Sequence, residues 1–341
     1  MKLSDLKEKT IIYIDNFKHG NTSSNSLNLQ VFKRYYKKVI PVHVRFVDPI
    51  QMRCLIWFYK PDQIHYGGSV KNAKLVPLST YKMVQKSYPT ILQSVSYGDL
   101  YTSNYIKERA NFVNVTTDSY FSEQPKPSVL WFPLTLHARL LDEYAPSKIG
   151  WNDKSYDLVF CGSNKDTRHE MLLYLHDKGI KIDVWGEGWE GSPFNIHPQC
   201  SILESYKIYQ QSKLVLNEMI DDYCHHNGFN TCEKKQTDFY SAYCQNKSCD
   251  YYMPKESYTS NRLLIAAYSA TPIVTYYNKG LERILSPTKS CVLVDKDNMV
   301  ESIYNYLNNE EQSTEIGINA RKDVSKFCFE QLLLKYWSYL K

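Results

Sequence analysis

The sequence predicts an α/β protein of two Rossmann-like domains that face a common cleft. Three observations predict it. Short apolar runs alternate with helix-length amphipathic segments along the 341 residues, the pattern of parallel βαβ units. A stretch rich in Pro, Gly and charge, "DEYAPSKIGWNDKS" (142–155), divides that alternation into halves of ordinary domain size. "YDLVFCGSNKDTRHEMLLYLHDKGIKIDVWGEGW" (156–189) reads as buried strand, small-residue turn, helix and second strand. The expected extents are 1–145 for the first domain and 150–325 for the second, with an insertion at 221–257. A helix at 326–341 is expected to pack back on the first domain.

The elements follow in order. "TIIYI" (10–14) is a strand that ends in the polar loop "DNFKHGNTSSNS". "LNLQVFKRYYKKV" (27–39) spaces Leu29, Phe32, Tyr36 and Val39 as on a helix. "MRCLIWFY" (52–59) fits a helix or a strand. "QIHYGG" (63–68) is a short strand with a glycine turn, and "TILQSV" (90–95), "FVNVTT" (112–117) and "SVLWFPL" (128–134) are further strands. In the second half, "YKIYQQSKLVLNEM" is a helix leading into a strand. "SNRLLIAAYSATPIVTYY" is helix, turn and buried strand, and "CVLVD" (291–295) is a strand. "NMVESIYNYLNN" and "FCFEQLLLKYWSYL" are amphipathic helices.

Bulk properties narrow the function classes. Hydrophobic residues make up 43%, enough for real cores, and no run of about 18 apolar residues could span a bilayer. The start, "MKLSDLKEKTIIYID", lacks the basic-then-apolar pattern expected of a signal peptide. A cytoplasmic protein is expected, in the host cytoplasm if the source is viral. The net charge of +5 is compatible with an anionic partner but is not a polybasic signature. The high Tyr count, 29, is what AT-rich codons produce and carries no functional weight. Of nine cysteines, Cys54, Cys161, Cys200, Cys291 and Cys328 lie among apolar residues and are expected to be reduced core thiols.

The turn at 162–168, "GSNKDTR", is the candidate anion site. Gly162 and Ser163 let the chain turn closely, and a helix starts near Asp166 or Thr167. Its N-terminus presents free N–H groups and partial positive charge. Lys165 and Arg168 add two full charges, a suitable clamp for a diphosphate. The motif is neither a P-loop nor G-x-G-x-x-G, and a solvated loop with ordinary surface charges is the alternative. Arg262, opening the helix of "SNRLLIAAYSATPIV", is a third candidate cation. Its alternative is a solvent-exposed first-turn arginine. Ligands of such folds bind outside the carboxyl ends of the strands, which locates these residues at the cleft.

The insertion "DDYCHHNGFNTCEKKQTDFYSAYCQNKSCDYYM" (221–253) spaces its cysteines C-x7-C-x11-C-x4-C, without the paired C-x2-C knuckles of zinc sites. Reduced thiols, a zinc site and disulfides all remain open there. No metal site is expected elsewhere.

Taken together, "DLVFCGS…R", "IDVWGEGW", "YKIYQQSKLVLN", "SNRLLIAAYSATPIV" and the C-terminal helices resemble the GT-B glycosyltransferases, which transfer sugar from a nucleotide-sugar donor. "SVLWFPLTLHARL" is similar to the last strand of the first domain in spore-maturation-type glycosyltransferases. "DNFKHGNTSSNS", "LQVFK" and "TILQSVSYGDLY" are similar to segments of the phage DNA β-glucosyltransferases.

The resemblance implies that Gly162, Ser163, Lys165 and Arg168 hold the donor diphosphate, with a UDP-linked sugar as one expected donor, with Arg262 assisting and Ser201 and Ile202 of "PQCSILESY" at the loop over the nucleobase. Ser201 with Glu204 also reads simply as a capping box. Asp99 is implied as the general base, an alternative to its reading as a turn-forming Asp after Gly98. Direct attack assisted by Asp99 would invert the anomeric centre. Asn25 falls where the phage enzymes carry an acidic acceptor-side residue. The family's ribose-binding Glu is replaced by Ile265 and a small Gly by Ala270. No cofactor beyond the donor is implied. The expected acceptor is a hydroxymethylated pyrimidine in double-stranded DNA, or alternatively a glycan or protein. Ile265 also leaves open an inactive GT-B binding module.

Overall fold

The computed structural model describes residues 2–15, 17, 24–67, 76–97, 113–116, 129–131, 136–145, 149–164, 166–217, 260–277, 280–295 and 297–338. The chain divides into two compact units, one of Met1–Leu140 with Phe327–Lys341 and one of Leu141–Lys326. The unit boundary therefore falls before "DEYAPSKIGWNDKS", and that stretch belongs to the second unit.

The first unit holds a six-stranded parallel sheet. Its strands are β1 (Thr10–Asp15), β2 (Lys38–His43), β3 (Gln63–Tyr66), β4 (Leu92–Tyr97), β5 (Val113–Thr116) and β6 (Val129–Trp131), ordered β2-β1-β3-β4-β5-β6. β1 is buried on both faces because helices cover both, so its apolar run is continuous rather than alternating. One face packs Ile12, Ile14 and Ile64 against Met52 and Ile56 of α2 (Pro49–Tyr59) and against Tyr81 and Val84 of α3 (Leu78–Ser87). On the other face Tyr13 meets Phe32 of α1 (Ser24–Tyr35), and Phe32 meets Phe329 edge-on at 5.3 Å. Phe329 opens α10 (Phe329–Ser338), whose Leu332, Leu333 and Trp337 are buried in this same unit.

The expected helix over residues 27–39 is corrected. α1 ends at Tyr35, and the chain turns at once into β2. Val39, Ile40 and Val42 are β-branched and favour a strand, and Pro41 is tolerated because β2 is an edge. The buried face of α1 runs through Leu27, Val31 and Phe32, while Leu29 is half-buried. The stretch left between helix and strand at 52–59 is helix. Asp48 caps it by accepting from the backbone N–H groups of Ile50 and Gln51, with Pro49 in the first turn.

The second unit has its own six-stranded parallel sheet. Its strands are β7 (Tyr156–Cys161), β8 (Ile182–Trp185), β9 (Asn195–His197), β10 (Ser212–Asn217), β11 (Ile273–Tyr276) and β12 (Val292–Val294), ordered β12-β11-β10-β7-β8-β9. Counted from β7 this is the doubly wound order 3-2-1-4-5-6, whose order reverses between β7 and β10. Leu158, Phe160, Leu214 and Val274 pack against Met171, Leu172 and Leu175 of α5 (Asp166–Asp177) and against Met299 and Ile303 of α8 (Met299–Leu307). The opposite face carries α6 (Ile202–Gln210), α7 (Asn261–Tyr268) and α9 (Glu310–Val324).

Asp142, in α4 (Ala138–Tyr144), ties these helices. It accepts from Tyr206 and Tyr268 and pairs with Arg321 at 2.8 Å. α9 escaped the sequence reading because its buried face is made largely of small residues, Ser313, Gly317 and Ala320. α3 and β9 were likewise not read. The insertion at 221–257 lies outside the described residues.

Candidate anion site in the second unit

The site forms where β7 ends. Phe160 is fully buried, Cys161 ends the strand, and Gly162 and Ser163 leave the sheet at its carboxyl edge beside the β7/β10 reversal. Gly162 N–H donates to the Trp185 carbonyl, and its own carbonyl accepts from Trp189 Nε1 at 2.8 Å. Asn164 N–H donates to the Glu187 carbonyl. The turns after β7 and β8 are therefore laced together, at a separation only glycine allows. A Cβ on Gly186 would sit 2.1 Å from the Gly162 oxygen.

Two arginines converge on this turn. Arg262 donates from Nε to the Cys161 carbonyl at 2.7 Å, and its guanidinium lies 4.3 Å from the centre of the Phe160 ring. A Cβ on Gly162 would meet Arg262 Nη2 at 2.6 Å, so the glycine makes room for the guanidinium. Arg262 Nη1 is buried and has no hydrogen-bond partner among the described residues. A buried charged donor without an acceptor is costly, and an anionic ligand would relieve it. Arg168 donates to the Ser163 carbonyl at 3.0 Å and lies 5.7 Å from the same Phe160 ring.

Gly162, Ser163, Arg168, Ser201, Ile202 and Arg262 all line one pocket of about 270 Å³. Among its described lining residues there is no Asp or Glu. Two helix N-termini meet there. Ser201 caps α6 as the expected capping box. Its Oγ accepts from Glu204 N–H, and Glu204 accepts from Ser201 N–H at 2.6 Å. These bonds hold the Glu204 carboxyl below its usual range. Ser260 caps α7 by accepting from Leu263 N–H and donates to Asn217 at 2.7 Å. Free N–H groups and positive helix ends thus add to the guanidinium charge.

Ile265 is buried and lines the pocket, so the wall where the GT-B family places its Glu is apolar here. Ala270 has φ of +60°, the left-handed conformation that glycine adopts without cost.

Lys165 and Asp99 lie outside the described residues. Asn25 falls in α1. The sequence reading missed Cys200, Trp185, Gly186 and Ser260, which also line the pocket. The carboxyl-end rule pointed to Trp185 and Gly186, since "WGEGW" follows β8. Cys200 had no such signal. Its thiol is pulled below the ordinary value, chiefly by a hydrogen bond with Cys161, while burial pushes Cys161 up. Among the described residues no cluster of three or more His, Cys, Asp or Glu could hold a metal ion.

Residues 168–328 match the glycosyl transferase-like family model. No curated protein sequence matches the chain significantly. Solved structures match along nearly its whole length. A glycosyltransferase from Rickettsia africae ESF-5 superposes with a TM-score of 0.63 at 10% identity, over 98% of this chain and 99% of that one. An α-glucosyltransferase in complex with UDP and a 13-mer DNA gives 0.63 at 12% identity, over 97% and 100%. HepE from Anabaena, with UDP and glucose, gives 0.60 at 9% identity, over 97% and 100%.

This chain has the GT-B fold.

The family-model match supports a glycosyltransferase, and the solved structures, at 9–12% identity, support the fold. The GT-B protein carries its glycosyl transferase-like match on the second unit, which also holds the arginine pocket.

Proposed function

We propose that this GT-B protein transfers a sugar from a nucleoside diphosphate sugar to a hydroxyl acceptor, and that the pocket at Gly162, Ser163, Arg168 and Arg262 binds the donor diphosphate. The observation that carries this reading is the buried, unpartnered Nη1 of Arg262 in a pocket whose described lining includes a second arginine and no carboxylate. In the reaction the acceptor oxygen bonds to the anomeric carbon as the bond to the β-phosphate oxygen breaks. The acceptor proton passes to Asp99, and the diphosphate leaves with the bonding electron pair. Arg168, Arg262 and Lys165 stabilise that growing negative charge. Guanidinium and ammonium groups meet this need without a divalent ion, so turnover is expected to survive chelation by EDTA. Ser201 and Ile202 border the nucleobase, and with Ile265 apolar the ribose is held by other groups.

The first acceptor reading is a hydroxymethylated pyrimidine in DNA, supported by the match to DNA-bound α-glucosyltransferases. The second is a glycan or protein hydroxyl, supported by the equally extensive match to HepE, solved with UDP and glucose. Attack assisted by Asp99 makes the enzyme inverting. The α designation of the DNA-bound matches favours retention as the competing stereochemistry.

The test is calorimetry with UDP and UDP-glucose, followed by radiolabelled transfer to hydroxymethylated duplex DNA and to glycan acceptors, with the product anomer read by NMR. UDP binding that falls on Arg262→Ala supports the donor site. Absence of nucleotide binding at millimolar ligand makes an inactive binding module the better reading.

A further inference from the structure

The helix α2 in the first unit places its apolar residues on two opposite faces. Met52 and Ile56 are buried in the sheet core. Ile50, Arg53, Cys54, Trp57 and Phe58 are all exposed, and they recur at i, i+3, i+4, i+7 and i+8, one continuous stripe pointing outward. Ile50 is 75% exposed, Trp57 78% and Phe58 69%, and Phe46 in the turn before α2 is 59% exposed. Single exposed apolar residues are ordinary, but four bordering one open groove of about 850 Å³ are not.

The charges around this stripe have one sign. From residue 37 to residue 60 the chain carries Lys37, Lys38, Arg45, Arg53 and Lys60 and a single acid, Asp48. Arg53 stands within the groove, and Lys38 lies 4.8 Å over the ring of Tyr59, which also borders it. Asp48 turns one oxygen onto two backbone N–H groups at the start of α2.

We infer that this face docks on an anionic lipid surface, with α2 lying in the plane of the headgroups. Trp57, Phe58, Ile50 and Phe46 would enter the interfacial layer, where aromatic residues are favoured, and the lysines and arginines would meet lipid phosphates. A second copy of the chain fits less well, because two such faces brought together would oppose Arg53 and Lys38 to their own copies. Duplex DNA would satisfy the cations but bury none of the apolar stripe. Among the described residues no helix is long and apolar enough to cross a membrane, so the contact is peripheral. The inference uses only first-unit residues and does not depend on the donor-site reading.

The test is sedimentation of the full chain with vesicles of phosphatidylcholine and of phosphatidylcholine with phosphatidylglycerol. Binding to the anionic vesicles is expected to exceed binding to the neutral ones by at least about tenfold, since each basic residue near the surface contributes about fivefold. The double variant Trp57→Ser, Phe58→Ser and the single variant Arg53→Glu should each lower it about tenfold while the melting temperature holds, since these side chains are exposed. Brominated lipid should quench the bound wild type, and Trp57→Phe should lose most of that quenching, a readout independent of the multiple variant. The proposal is overturned if the chain sediments with neither vesicle, or if binding is unchanged in these variants. Trp57-dependent dimerisation or Trp57-dependent DNA binding without vesicle binding would overturn it equally. A positive result would also weigh toward a membrane-borne acceptor.

Discussion

At the scale of single residues, the proposed donor pocket is lined by two arginines, with glycines that make room around them. Arg262→Ala should weaken UDP binding by about 1.5–3 kcal/mol, the range of a charge-assisted hydrogen bond, measured by calorimetry. Gly162→Ala should reproduce that loss with all charges retained, because the added methyl would sit 2.6 Å from Arg262 Nη2. If Gly162→Ala binds UDP like wild type, the guanidinium does not need its observed position. Asp99→Ala should abolish transfer and spare UDP binding, which separates the base from the donor site. Cys200 offers a probe that leaves the arginines untouched. With its thiol below the ordinary value and on the pocket wall, it should alkylate at lower pH than an ordinary cysteine, and UDP should protect it.

At the scale of elements, turns and buried polar groups set local stability. Ala270 closes α7 with φ of +60°, where a Cβ is strained. Ala270→Gly should raise the stability of the second unit by about 0.5–1 kcal/mol, the relieved strain less the added chain entropy. Gly317→Ala should act in the opposite direction. Its Cβ would fall 2.1 Å from the Ala270 oxygen and push α9 off that turn. Thermal denaturation of the two variants checks both signs.

In β3, His65 is buried against Ser94, and burial pushes its pKa down to about 3, as it does for His137 beside Asn28. Both are neutral in the folded state and protonate freely only when unfolded. Their contribution is present above pH 6.5 and lost as pH falls from there toward 3. Each could remove up to about 2 kcal/mol by about pH 5. Calorimetric melts at neutral and mildly acid pH should show that loss, and His65→Phe should flatten it.

At the scale of the whole molecule, the last helix completes the first unit across the full length of the chain. Trp337 Nε1 donates to Tyr36 at 3.0 Å, Tyr36 in turn bonds Gln63, and Tyr35 donates to Glu330 at 2.9 Å. Burial pushes the Tyr36 hydroxyl far above its ordinary range. Trp337→Ala should cost the first unit about 3–5 kcal/mol through its cavity and the lost hydrogen bond to Tyr36. Denaturant unfolding followed by probes in each unit should show that loss in the first-unit probe.

The sequence by itself determined the class of fold and named the turn that lines the candidate site. Apolar runs of strand length between helix-length segments are enough to announce parallel sheets, because helices on both faces force their strands to be apolar throughout. The turn "CGSNKDTR" offered a candidate anion site, small residues after a buried strand followed by cations at a helix start, beside the alternative of a solvated loop. Ser201 with Glu204 likewise announced its capping box, since that bond is local.

What was not legible depended on contacts distant in the chain. β2 hid behind α1 because Pro41 is a strand residue only at an edge, and the edge exists only in the assembled sheet. α9 hid because a helix packed closely on a neighbouring turn needs small residues rather than a large apolar stripe. Only the tertiary structure brought Arg262 to the Cys161 carbonyl, Gly186 onto Gly162 and Cys200 beside Cys161. Those approaches are set by the packing of two turns and two helix ends, and sequence spacing holds no record of them.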